Sequence, residues 1–180
     1  IKNNTMKKLI TIFTLAVSTF TFSQNSTTLK SNDIVINPVA LVLGAVNVEY
    51  ERIISENSGI GVTTSFLLDD YIIDDNNGFS ITPYYNYYFG KKRANGFYIG
   101  GYCSINSGDV EKSYYVSSQY GGYTMYTTEK ETNFGVGFKF GGKWVVKNDI
   151  VLEIGTGLGR NFGGENKVNT TGMLGIGKRF

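Results

Sequence analysis

The side chains that could do chemistry in this 180-residue chain are mostly carboxylates, and they come in close pairs. Glu49 with Glu51, and Glu129 with Glu131, stand two positions apart, so on a strand each pair shares one face, as general acid/base work requires. Solvation at a surface or inside a lumen is the simpler use of the same pairs. Asp69, Asp70, Asp74 and Asp75 crowd one short segment, an oxygen-rich set that suits calcium or a divalent bridge to lipopolysaccharide. Their spacing is not that of an EF-hand, and a merely solvated loop is the simpler reading. Gly155-Thr-Gly-Leu-Gly159 has the look of a phosphate loop, but no helix pattern follows and the run lies inside a strand pattern. The chain contains no histidine, which removes Ser-His-Asp and Cys-His arrangements and the usual zinc sites. The single cysteine, Cys103, has no partner for an intramolecular disulfide and reads as a small buried or lipid-facing hydrophobe. The chain is accordingly read as non-enzymatic, with no cofactor and no metal candidate beyond the four aspartates.

The elements that position these groups begin with an export signal. Met6 is followed by Lys7 and Lys8, then by the apolar run Leu9–Val17 and the small residues leading to Ser23. A basic start, an apolar core too short to span a bilayer and small residues at its end make residues 6–23 a secretory leader, with cleavage expected near Ser23. Residues 1–5 read as upstream read-through and 24–32 as a linker. Loss of Lys2, Lys7 and Lys8 from the 17 basic groups leaves 14 against 15 acidic ones, a net charge of −1. The basic balance of the whole chain therefore belongs to the leader, and nothing points to nucleic acid.

Residues 33–180 read as one domain of alternating strands. In the run Gly172–Phe180, Leu174, Ile176 and Phe180 fall on one face while Gly175, Gly177 and Arg179 fall on the other. Upstream, Ile150, Leu152, Ile154 and Leu158 oppose Val151, Glu153, Gly155, Gly157 and Gly159, and Phe134, Val136, Phe138 and Phe140 oppose Asn133, Gly135, Gly137, Lys139 and Gly141. A soluble β-sandwich is the rival fold, but it seldom leaves so many glycines on a hydrated face. A narrow barrel lumen gives them a use, because small residues make room for a few large polar ones. Outward aromatics near strand ends, as at Phe79, Tyr85, Tyr87 and Phe89, suit an interfacial girdle. The pattern predicts an all-β, antiparallel up-and-down transmembrane barrel of about eight strands. Short turns at 55–58, 91–95 and 147–149 lie on the periplasmic side. Longer connections at 69–77, 107–131 and 161–167 lie outside, with 107–131 extending two strands as a hairpin that turns at Gly121-Gly122. Seven strands are clear. The eighth is expected around Asp33–Asn37, although residues 37–44 also read as a short helix, with Asn37 as cap, Pro38 at the first position and Gly44 after the end.

The inward register places Asn47, Glu49, Glu51, Lys139, Glu153 and Arg179 in the lumen with Tyr84, Tyr88, Tyr98 and Tyr102. Opposite charges and phenols in a narrow interior should pair, because an isolated buried charge is expensive. A filled lumen with a structural or surface-interaction role is the reading that follows. A small-solute or ion channel is the alternative, and a soluble or periplasmic β-sandwich binding protein the third.

The order Asn37-Pro38, an apolar run, Gly44 and Asn47-Val-Glu-Tyr-Glu51, followed by Gly-aromatic strands and Phe180, resembles a family of small outer-membrane β-barrel proteins of unknown function. The layout is similar to eight-stranded OmpA/OmpX-type barrels over nearly the whole mature chain, with the Asn-Pro to Glu-Tyr-Glu segment as its most specific part. The resemblance implies the outer membrane of a Gram-negative bacterium and carries over no catalytic residues. It also implies that Phe180 serves as the C-terminal signal for the outer-membrane insertion machinery. Lipid, lipopolysaccharide and that machinery are the expected partners of a monomer.

Overall fold

The fold is taken from a computed structural model, which describes residues 29–68, 78–117, 121–164 and 166–180. Residues 1–28, which hold the expected leader, residues 69–77 with their four aspartates, and residues 118–120 and 165 lie outside the described residues. Ser31–Arg179 form one compact unit. Its elements are β1 (Asn32–Ile36), α1 (Pro38–Val42), β2 (Ala45–Ile53), β3 (Ser58–Leu67), β4 (Phe79–Tyr88), β5 (Gly96–Val116), β6 (Tyr123–Val145), β7 (Ile150–Phe162) and β8 (Val168–Arg179). Each strand pairs antiparallel with the next, and β1 closes on β8 with Asp33 opposite Arg179. The single closed sheet excludes a two-sheet sandwich.

Strand and helix, alternatives in the sequence, both occur between 32 and 44. β1 stops at Ile36 because Asn37 turns the chain into α1: its Oδ1 accepts from the Ala40 amide at 3.1 Å, and Pro38 presets the first helical position. Gly44, at φ 86°, releases the chain into β2. Ile36 lies opposite both Val48 and Ile176, so above that level β8 has β7 as its strand partner but not β1.

Turn chemistry sets the two ends apart. Ile54 and Ser55 both donate backbone N–H bonds to the Ser58 carbonyl, and Lys147–Asp149 form a single 3-10 turn in which Asn148 takes φ 61°. At the opposite end β5 and β6 run on together. Their register continues without a break from Gly96–Lys143 to Val116–Tyr123, whereas β4 ends opposite Ser107 and β7 opposite Phe134. The two strands therefore project as a ribbon of about nine residues each, roughly 30 Å at ~3.3 Å per residue.

Polarity runs inside out. Among the described residues, 17 buried side chains are polar or charged against ten buried hydrophobic ones, while Phe138 and Leu158 on the outer face are 73% and 63% exposed. Cys103 is on that exposed outer face too. Glycines line the interior where tyrosines need the space: a Cβ on Gly155 would collide with the Tyr98 hydroxyl, and one on Gly61 with the Tyr84 ring.

Candidate functional site

A charged layer fills the half of the lumen nearer the short turns. Lys143, wholly buried, sits at its centre, with its Nζ 3.1 Å from Glu49 Oε1 and 2.9 Å from Glu153 Oε2, and in contact with Glu51 Oε2. Asp33 Oδ2 is 4.0 Å away. Lys139, one inward step beyond Gly141, reaches Glu49 at 3.4 Å and lies 3.7 Å from the centre of the Tyr84 ring. Phenols complete the layer. Tyr84 and Tyr88 donate to Glu51 at 3.2 and 2.7 Å, Tyr98 donates to Glu153 Oε1 at 2.8 Å, and Thr63 donates to Glu49 at 3.1 Å. Charged hydrogen bonds of this kind are what make a buried ion tolerable.

Arg179 closes the seam between the first and last strands. Its Nε and one terminal nitrogen grip both Asp33 oxygens at 2.7 and 2.8 Å, a bidentate pair, and the same fork donates to the Arg93 and Ala94 carbonyls in the 91–95 turn. One side chain thus ties β1, β8 and the β4–β5 connection together.

The other half of the lumen is neutral. Asn169 Nδ2 donates to Ser104 Oγ at 3.0 Å and to Asn161 Oδ1 at 2.8 Å. Asn106 donates to Ser104 at 3.2 Å and accepts from Ser80 at 2.7 Å, and Tyr102 donates to the Asn169 carbonyl. Beside the charged layer lies a small space, about one water in size and open to solvent, lined by Glu49, Thr63, Tyr98, Lys139, Thr171 and Met173 among others.

Glu49, Glu51, Lys139, Glu153 and Arg179 all lie in the charged layer with Tyr84, Tyr88 and Tyr98. Asn47 is inward but half-buried and donates to Ser65, apart from the layer. Tyr102 belongs to the amide half. Glu129 pairs with Lys112 at 2.7 Å on the projecting ribbon, so it shares no site with Glu131, which accepts from Asn133. The Lys112 ammonium, by hydrogen bond and charge, holds the Glu129 carboxyl below its ordinary range. Sequence reasoning missed Lys143 and Asp33. Lys143 was within reach, since it continues the inward series Lys139, Gly141 by one more step of two. Asp33 was hidden by the strand-or-helix ambiguity of its segment. Gly155-Thr-Gly-Leu-Gly159 lies within β7 and precedes no helix, so it is barrel wall.

Among solved structures the chain is similar to the N-terminal β-barrel domain of Pseudomonas aeruginosa OprF, at 14% identity over 84% of this chain and 98% of that one, with a TM-score of 0.41. It is also similar to the Yersinia pestis outer membrane protein Ail in a phospholipid bilayer nanodisc, at 15% identity over 84% of this chain and 100% of that one, with a TM-score of 0.46. No curated protein matches it. The Asn37-Pro38 to Glu51 segment, now seen to build the capped helix and most of the acidic strand β2, lies within residues 2–172, which match a family model, and the chain belongs to the family described as Protein of unknown function (DUF3575).

Proposed function

We propose that the chain is an integral β-barrel of a Gram-negative outer membrane whose role is structural and surface-interacting, not enzymatic. The observation that carries this is the outer face. On β6 exposed apolar side chains run from Phe134 to Trp144, about ten residues or ~33 Å of strand, which at a tilt near 40° covers about 25 Å, the height of an outer-membrane apolar band. Aromatic pairs mark both limits: Phe66–Phe79 and Phe134–Phe162 on the ribbon side, Tyr87–Phe89 and Phe97–Trp144 beside the short turns. Beyond Phe134 the same strand turns to Glu131, Lys130 and Glu129. The leader at 6–23 supports export to that membrane.

The lumen favours a closed barrel over a channel. Lys143 and its carboxylates span the interior with exposures of 0 to 3%, leaving no continuous aqueous path at that level. Outside, the ribbon presents Tyr114, Tyr115, Tyr123 and Tyr126, amphipathic rings suited to contact with another surface. The membrane reading predicts that protein folded in detergent migrates differently on a gel before and after boiling; a sample soluble without detergent would sink it. The closed-lumen reading predicts no sustained conductance in planar bilayers, and a stable single-channel current would replace it with the channel.

A further inference from the structure

The charged layer does not balance. Asp33, Glu49, Glu51 and Glu153 face Lys139, Lys143 and Arg179, and all seven residues are between 0 and 6% exposed. With every group ionised, four negative charges meet three positive ones in a buried layer, and an uncompensated buried charge is strongly disfavoured there. Arg93, whose Nε is buried in the 91–95 turn, donates to Ser31 and makes no ion pair with these carboxylates among the described residues, so the layer is short of one positive charge and the hydrogen bonds indicate where a proton would supply it.

Three of the carboxylates are well supplied with donors. Asp33 holds the Arg179 fork at 2.7 and 2.8 Å. Glu51 accepts from Tyr84, Tyr88 and Lys143, and Glu49 from Thr63, Lys139 and Lys143. Glu153 is different. Tyr98 donates to its Oε1 at 2.8 Å, but Oε2, although 2.9 Å from Lys143 Nζ, receives no aligned hydrogen bond among the described residues.

We infer that the lumen binds one proton, carried on Glu153 Oε2, so that the layer is neutral as four carboxyl groups sharing three cations and one hydrogen. A protonated Oε2 becomes a donor, and Glu49 Oε1, on the same ammonium at 3.1 Å, is a neighbouring acceptor. The groups that face Glu153 come from every side of the layer: Asp33 on β1, Glu49 and Glu51 on β2, Tyr84 and Tyr88 on β4, Tyr98 on β5, Lys139 and Lys143 on β6, and Arg179 on β8 acting through Asp33. β3 contributes only the neutral Thr63. A proton fits better than a metal ion, because the described residues contain no cluster of three His, Cys, Asp or Glu groups placed to hold one. Exchange has a route: Tyr98 hydrogen-bonds Glu153 and also lines the space that opens to solvent beside Lys139. Release breaks the O–H bond on Oε2, leaves that carboxylate charged and hands the proton to Glu49, which lines the same space and passes it to water.

Infrared spectroscopy of the full chain folded in phospholipid vesicles at neutral pH tests this, with ¹³C-labelled glutamate to separate Glu from Asp and the boiled-against-folded gel shift confirming that each variant is a barrel. The expected result is a neutral-carboxyl C=O band that moves with the glutamate label, persists in Glu49→Gln and disappears in Glu153→Gln. Glu153→Gln, a neutral replacement for a neutral group, should unfold at an unchanged or higher urea midpoint, whereas Glu51→Gln should unfold at a lower one. The inference is overturned if folded native protein shows no such band, if the band survives Glu153→Gln, or if Glu153→Gln lowers the midpoint as far as Glu51→Gln. Native protein that lacks the band and retains a bound alkali cation overturns it in favour of a cation site. A missing gel shift in the native chain would instead count against the membrane reading, which keeps the two failures apart.

Discussion

The two halves of the lumen solve one problem by different means. Both must fill a narrow interior whose outer wall has surrendered its apolar side chains to the surroundings. Toward the short turns the filling is ionic, centred on Lys143 and sealed by Arg179 and Asp33. Toward the projecting ribbon it is a neutral mesh of Asn106, Asn161, Asn169, Ser80 and Ser104. An amide that loses a partner leaves an unsatisfied dipole, whereas an ammonium that loses its carboxylates leaves a buried charge. The ionic half is thus the fragile one to mutation, while the neutral half tolerates change.

Removal of the central cation should have the largest effect. Lys143→Met keeps the volume but leaves Glu49, Glu51 and Glu153 facing Lys139 alone, and should cost about 3–5 kcal/mol or prevent folding. Urea titration in detergent, read by the folded band on a gel, measures it, and a loss below that of an amide variant would erase the distinction between the halves. Arg179→Gln should come next, at about 3 kcal/mol or more, since Asp33 loses its bidentate partner at the seam. Asn169→Ala should cost only about 1–3 kcal/mol, the penalty of leaving Ser104 and Asn161 without their donor.

The smallest effect belongs to the ribbon, where Glu129 and Lys112 are exposed to solvent. Because the folded state holds the Glu129 carboxyl below its ordinary value of 4.5, the pair contributes above that value and is lost as pH falls through the lower, folded one. Protection of the amides of 108–116, taken relative to the intrinsic exchange rate at each pH, should therefore fall in acid and in high salt, while protection in the barrel strands does not. Equal salt sensitivity in both regions would show that the charged layer is wetter than its burial implies.

Much of the candidate site was legible. Period-two alternation set which face each strand turns inward, so Glu49, Glu51, Lys139, Glu153 and Arg179 were grouped before any geometry was known. The outward aromatics at Phe79, Tyr85, Tyr87 and Phe89 were likewise readable. The 32–44 segment was not, because a five-residue strand followed by a five-residue helix is too short for either period to dominate. Asp33 was lost with it. The amide mesh was also invisible as a unit, since Asn161 and Asn169 flank a loop and Ser104 lies on a strand far from them in sequence.

The class of fold, the inward and outward faces and the pairing of strands with their turns are written along the chain, because alternation and turn chemistry are local. Which charges meet depends on the closed barrel. Lys143 lies 94 positions from Glu49, and Arg179 lies 146 from Asp33, and both partnerships exist only after the eighth strand has closed on the first. Closure converts a list of inward polar residues into one layer with four carboxylates, three cations and a wholly buried lysine at its centre, and no spacing along the chain records that sum.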